Sequence, residues 1–211
     1  MGNLEEKLLQ MSKKVANKLP EEFLANTSKA IKELVNSNSI QGLKVGENAP
    51  TFTLPDATGV NVNLSDVLTN GPVVLSFYRG SWWPYCQIEL RELHGILPEM
   101  KKINASLVAI SPERPDNTLS MKEKLEIPFP VLTDVNGEVM RKYKISWKLP
   151  DFIKENYIKH LQRDYTLINA GAGWELPVPS TFILNKKGEV IFKQLNLDYT
   201  KRLEPKKILE V

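Results

Sequence analysis

The sequence predicts an α/β fold, with a central mixed sheet flanked by helices and a helical extension at the N-terminus. Three observations carry this. Val73-Val-Leu-Ser-Phe-Tyr78 and Ser106-Leu-Val-Ala-Ile110 are short apolar runs without polar alternation, the pattern of strands buried on both faces. Each is followed by a stretch with helical signals, as a strand–helix–strand–helix unit requires. Thr181-Phe-Ile-Leu184 and Glu189-Val-Ile-Phe192 then flank Asn185-Lys-Lys-Gly188, which reads as an antiparallel hairpin.

In chain order, residues 3–19 read as an amphipathic helix. Asn3 and Glu6 have capping-box spacing, Leu4, Leu8, Met11, Val15 and Leu19 share a face, and Pro20 ends it. A second helix carries Phe23, Thr27, Ile31 and Leu34 on one side and runs out in Asn36-Ser-Asn-Ser39. Residues 1–40 are therefore expected as a helical hairpin extension, either a dimerisation arm or a cover for its own domain. Residues 41–211 are expected as the main domain, joined through 41–46. Phe52-Thr-Leu54 and Val60-Asn-Val-Asn-Leu64 alternate about Asp56-Ala-Thr-Gly59, which predicts a hairpin, and Ser65 is expected to cap a short helix after it.

The central strand leads to Pro84, well suited to the first helical position, and to Ile88, Leu90, Leu93, Ile96 and Leu97 along one helix. A further helix is expected from Pro115-Asp116, a short apolar piece over 129–132, a turn at Asp134-Val-Asn-Gly137 and a helix over 138–144. Residues 145–176 are the least regular, with a helix over 151–163 placing Ile153, Tyr157 and Leu161 in register. Trp147, Phe152, Tyr157, Tyr165 and Trp174 gather there and read as a substrate pocket, a subunit contact or a satellite apolar cluster. A last short helix begins near Pro205.

With 211 residues, 42% of them hydrophobic, the chain can build one domain with a substantial core and additional elements. The net charge of +3 is scattered, so no stretch reads as a nucleic-acid footprint. No run reaches about 18 apolar residues, so no membrane span is expected. The N-terminal residues lack the apolar region of a secretory signal. His94 and His160 have no ligand spacing, so neither a metal nor a cofactor is expected.

Cys86 is the only cysteine. It cannot form an internal disulfide and suits a reducing compartment, so the expected localisation is cytoplasmic. Its place in the first turn of a helix predicts a thiolate stabilised by free backbone N–H groups and the helix dipole. The alternative is an inert buried thiol packed as a small hydrophobe.

Phe77-Tyr78-Arg79-Gly80-Ser81-Trp82-Trp83-Pro84-Tyr85-Cys86 with Glu89-Leu90 resembles the peroxiredoxin-like branch of the alkyl hydroperoxide reductase and thiol-specific antioxidant family. That branch usually reads Phe-Tyr-Arg-Gly-x-Trp-Cys-Pro-Tyr-Cys-x-x-Glu-Leu. Similar stretches run from Val45-Gly-Glu-Asn-Ala-Pro-Thr-Phe52, through Ala109-Ile-Ser-Pro112 and Leu176-Pro-Val-Pro-Ser-Thr-Phe182, to Asp198-Tyr-Thr-Lys-Arg-Leu-Glu-Pro205. The order of elements is that of a thioredoxin-like fold, in which a cis-proline facing the active-site turn precedes the hairpin strand. Pro179 matches that position.

The resemblance implies that Cys86 is the peroxidatic cysteine, because Glu89 matches the family's Glu three residues after it. Arg79 and Arg91 are the nearby cations. Tyr78, Trp82, Trp83, Tyr85, Val178 and Pro179 are expected to line the substrate site. The chain departs from the pattern in three places: Trp83 replaces the first cysteine of the pair, the family's Pro-x-x-x-Thr-x-x-Cys would put proline at Arg79 and a hydroxyl at Trp83, and the family's second arginine falls at Pro179. The implied activity is a slow thiol-dependent peroxidase with one cysteine, taking a small-molecule peroxide and an external thiol reductant; a homodimer follows only if residues 1–40 act as a dimerisation arm. The reading from another class is a redox-inactive thioredoxin-fold scaffold or binding module.

Overall fold

The structure, a computed structural model, describes residues 3–211. Two helices come first, α1 (Leu4–Lys18) and α2 (Glu21–Ser37). The Asn3 side chain accepts the N–H of Glu6 at 3.0 Å, satisfying one of the free donors of α1 as the capping spacing predicts. A hairpin of β1 (Thr53–Pro55) and β2 (Asn61–Asn63) leads to α3 (Leu64–Thr69). Its cap is Asn63 rather than Ser65: Asn63 Oδ1 accepts the Ser65 N–H at 2.7 Å, and the capping acceptor belongs one residue before the first helical one.

The central unit follows as β3 (Val73–Phe77), α4 (Pro84–Gly95), α5 (Leu97–Lys102), β4 (Ser106–Ser111), α6 (Pro115–Lys124), β5 (Val131–Thr133) and α7 (Glu138–Lys142). The single helix expected through Leu97 is two, breaking at Ile96. Pro98 lies in the first turn of α5 and has no N–H to continue the α4 ladder. The region that looked irregular holds β6 (Ser146–Lys148), α8 (Asp151–Leu161), α9 (Tyr165–Ile168) and β7 (Glu175–Pro177), and β6 and β7 pair antiparallel. The chain ends with β8 (Ser180–Leu184), β9 (Val190–Leu195) and α10 (Pro205–Ile208).

The main sheet has the order β5-β4-β3-β8-β9. β3 runs parallel to β4 and β4 to β5, while β8 is antiparallel to both β3 and β9. All five residues of β3 are buried, so alternation sorts them to two cores and not to core and solvent. Val74, Leu107 and Ala109 face a core shared with Cys86, Leu90 and Leu93 of α4 and with Leu4 and Leu8 of α1. Val73, Leu75, Phe77, Val108 and Ile110 face the opposite core with Tyr143, Phe182 and Leu184. A third cluster joins Phe23 and Leu34 of α2 to Tyr157 of α8, Tyr165 and Trp147. No helix among the described residues is long and apolar enough to cross a membrane.

Candidate active site

The turn between β3 and α4 is built by three local constraints. The Tyr78 N–H donates to Ile110 O at 3.0 Å, extending the ladder to β4 by one residue before the chain leaves the sheet. Gly80 then adopts φ +156°, and a Cβ there would lie 2.2 Å from the Trp82 indole nitrogen, so the turn requires glycine. Ser81 is pinned by Glu113, whose two carboxylate oxygens accept its N–H and its hydroxyl at 2.6 and 2.7 Å. Gln87 reaches back to donate to Ser81 O at 2.5 Å.

Trp83 is the N-cap of α4 and caps it with no side-chain bond, while Pro84 opens the first turn as expected. The Trp83 carbonyl accepts the N–H groups of Cys86 and Gln87 at 3.0 and 3.2 Å, so the cysteine's own N–H is not among the free donors. Cys86 is 0% exposed. Burial pushes its thiol up. Arg202, the backbone N–H of Arg79 and the Arg79 charge pull it down, while Glu89 pushes it further up, and burial prevails. This direction is opposite to the one expected from helix position. A helix terminus contributes about 0.3–1 kcal/mol at an exposed site, whereas taking an ion out of water costs several kcal/mol.

Arg79 is 1% exposed, and its Nε and Nη1 have no hydrogen-bond partner. Its guanidinium lies 5.0 Å from the ring centre of Tyr199, 5.4 Å from Trp147 and 5.9 Å from Trp83. Each such ring contact offsets roughly 0.5–2 kcal/mol of the desolvation of a buried cation. Glu89 is buried one turn beyond Cys86, and its Oε2 accepts Arg202 Nε at 2.9 Å with both side chains at most 4% exposed. Burial pushes the Glu89 carboxyl up and Arg202 opposes it.

The other expected residues are placed as follows. The buried Tyr78 hydroxyl lies among Ser111, Thr118 and Glu113, with its ionisation pushed up by burial. Trp82 stacks on Tyr165 at 4.5 Å, and Trp83, buried, packs against Tyr199 and Tyr85 at 5.2 and 5.6 Å. The Tyr85 hydroxyl shares a hydrogen bond with Ser12 of α1 at 3.1 Å. Val178 is buried in the third cluster, and its N–H donates to Ile145 O at 2.8 Å. Pro179 follows it, and the β3–β8 register carries it alongside Tyr78. The bond before Pro179 is trans, as no peptide bond among the described residues is cis. Trans is the form an X–Pro bond favours by about 0.5–1 kcal/mol.

Arg91, named from the sequence as a nearby cation, is exposed on α4, and Arg202 is the buried cation beside Glu89. The aromatic residues of 145–176 form a satellite core in which Trp147, Tyr157 and Tyr165 are buried, with Arg79 against it. Glu113, Tyr199 and Arg202 were not singled out by sequence. The signal for the last two was the family-like stretch from Asp198 to Pro205.

A family model described as AhpC/TSA family matches residues 45–193. The chain belongs to the AhpC/TSA family. Peroxiredoxin Bcp of Escherichia coli (strain K12) is 30% identical over 115 residues, covering 54% of this chain and 72% of that relative. Peroxidoxin BcpB from Mycobacterium tuberculosis superposes with a TM-score of 0.62 at 24% identity, over 80% of this chain and 95% of that structure. A mutant of Xylella fastidiosa PrxQ superposes with a TM-score of 0.63 at 16% identity, over 81% and 95%. Those superpositions establish a shared fold. Within this AhpC/TSA chain the family match ends at residue 193, so α1, α2, Tyr199 and Arg202 lie outside it.

Proposed function

We propose that the protein is a thiol peroxidase working through Cys86 alone, reducing hydrogen peroxide or an organic hydroperoxide at a modest rate. One observation carries the reading: in a chain of the AhpC/TSA family, the sole cysteine sits in the first turn of α4, with the buried Arg79 and the buried Arg202–Glu89 pair beside it. The Cys86 thiolate attacks the terminal peroxide oxygen. The S–O bond forms as the O–O bond breaks, the alkoxide or hydroxide leaves and takes a proton from solvent to become alcohol or water, and the sulfur becomes a sulfenic acid. An external thiol then displaces water to give a mixed disulfide, and a second thiol releases Cys86 with formation of its own disulfide. Arg79 and Arg202 supply positive charge where negative charge is transferred. Tyr78, Trp82, Trp83, Tyr85, Val178 and Pro179 are the walls against which the peroxide is held.

Burial of the sulfur supports a slow enzyme, because the side chains covering it must move before a peroxide reaches it. The same burial favours the second reading, a redox-inactive scaffold on this fold. A lone cysteine supports a reducing, cytoplasmic setting. Residues 1–40 are read as an extension on a domain spanning 41–211, and exposed Leu9 and Val35 support a homodimer through it. The test is intact mass after mild hydrogen peroxide with a sulfenate trap, on wild type and Cys86→Ser. A stoichiometric adduct confined to wild type supports the peroxidase, and an unmodified wild type supports the scaffold.

A further inference from the structure

Arg202 belongs to a segment that no part of the family match covers, yet it reaches the face of α4 that carries the sulfur. Its Nε donates to Glu89 Oε2 at 2.9 Å, and Nη1 donates to the carbonyls of Tyr199 and, at 3.1 Å, Lys201. Nη2 is buried without a partner. Glu89 is three residues after Cys86 on the same helix, so the two side chains are neighbours on one face. The segment is anchored independently of Arg202. Asp198 accepts the N–H and hydroxyl of Thr200 at 3.0 and 2.7 Å, and the Glu204 carboxylate accepts the N–H groups of Leu4 and Glu5 at 3.2 and 2.8 Å. The Tyr199 ring meanwhile lies against Arg79, Trp83 and Tyr85. A long, flexible side chain is thus held in one geometry, out of water, with a donor left over. An unmet buried donor costs about 1–3 kcal/mol, which packing alone gives no reason to retain.

We infer that Arg202 is the second cation of the Cys86 site, a positioning residue that, with Glu89 orienting it, holds positive charge against the sulfur. This rests on the peroxidase reading above. The role falls to the C-terminal segment because position 179, where the family's pattern would put an arginine, is proline and carries no charge. Glu89 both orients Arg202 and opposes its effect, so removing Arg202 alone withdraws a favourable charge and leaves a carboxylate uncompensated. Removing both withdraws only the net effect of the pair, which favours the thiolate.

The experiment is the pH dependence of Cys86 alkylation, followed by intact mass, in wild type, Arg202→Met, Arg202→Lys and the double variant Glu89→Gln with Arg202→Met. The far-ultraviolet spectrum and thermal melt are recorded for each. Arg202→Met is expected to move the profile to higher pH and slow alkylation near pH 8 by about 10-fold or more, the change that one pKa unit brings. Arg202→Lys should recover most of the rate, and the double variant, which retains a neutral pair if the single one unfolds, should stay above wild type in pH. A double variant with the wild-type profile would reduce Arg202 to neutralising Glu89 and overturn the inference, as would a lysine variant no better than methionine. Alkylation needs no peroxide. A wild type that consumes none while its profile depends on Arg202 therefore sinks the peroxidase reading and leaves this one standing.

Discussion

Glu113 takes both donors of Ser81, its N–H at 2.6 Å and its hydroxyl at 2.7 Å, across 32 positions of sequence. The carboxylate is 1% exposed, just past β4, and its backbone is fixed in turn by Thr133, whose hydroxyl donates to Glu113 O at 2.9 Å. The turn that carries Arg79 and Trp83 toward Cys86 is therefore tied to the neighbouring strand by one side chain. No cap on α4 does this work, since Trp83 makes no capping bond.

Removing that tie should open the site. Glu113→Ala is expected to cost about 1–3 kcal/mol in urea unfolding, as two donors lose their acceptor. It should also speed Cys86 alkylation, because the turn leads directly into the helix that carries the sulfur. Glu113→Gln keeps one acceptor and should fall between. Stability lost with no change in alkylation would show that Glu113 does not gate the sulfur.

Burial pushes the Glu113 carboxyl up, against its bonds from Ser81 and the nearby Arg163 charge. A folded-state pKa above the unfolded one means the folded chain holds a proton that the unfolded chain has released. The stability this gives is full below the unfolded carboxylate value and is lost as pH rises through the raised one. Glu113→Gln should therefore flatten the stability–pH curve just above the ordinary carboxylate range, measured by urea midpoints from about pH 4 to about pH 8. A variant curve of unchanged slope would refute the shift.

The thiol should behave oppositely to a helix-activated cysteine. Burial is the largest influence on Cys86 and raises it. Alkylation of the folded protein at neutral pH is expected to be slower than that of the same chain in denaturant, and to climb as pH rises past the ordinary thiol value of about 8.5. Folded protein reacting faster than denatured chain would restore the activated thiolate.

The central strands of the main sheet are legible because their burial is written locally: Val73–Phe77 and Ser106–Ser111 are mostly apolar, without the polar alternation of a half-buried strand. The pair β6 and β7 is not, since Trp147 meets Leu176 across two intervening helices, and strands of three residues carry no periodicity to read. The site divides the same way. The position of Cys86 on α4 follows from Pro84 and the preceding strand, but its burial comes from distant chain. Leu8 of α1, Tyr199 and Leu203 share its core, and Arg202 reaches Glu89 from 113 positions away. Helix position is legible in the sequence, whereas the desolvation that competes with it is a tertiary quantity.

Trp83 offers the sharpest test of the mechanism. It stands three residues before Cys86, at the N-cap of the same helix, a spacing of one turn that brings two cysteines within disulfide reach. In wild type no sulfur is there, so oxidised Cys86 waits for an external thiol or proceeds to sulfinic acid when peroxide is in excess. Trp83→Cys should supply an internal resolving thiol: peroxide treatment should remove two hydrogens from the intact mass, and turnover with a dithiol reductant should rise. The structure adds a cost. The Trp83 ring is 4% exposed among Tyr85, Tyr199 and the Arg79 guanidinium, and truncating a buried tryptophan leaves a cavity worth about 3–5 kcal/mol. The reduced variant should unfold at correspondingly lower urea, and oxidation should return part of that loss. Peroxide consumption is compared for wild type, Trp83→Cys and Cys86→Ser, with mass measured afterwards. A wild type that turns over with dithiol as fast as Trp83→Cys, or a Cys86→Ser that stays active, would overturn this account of the site.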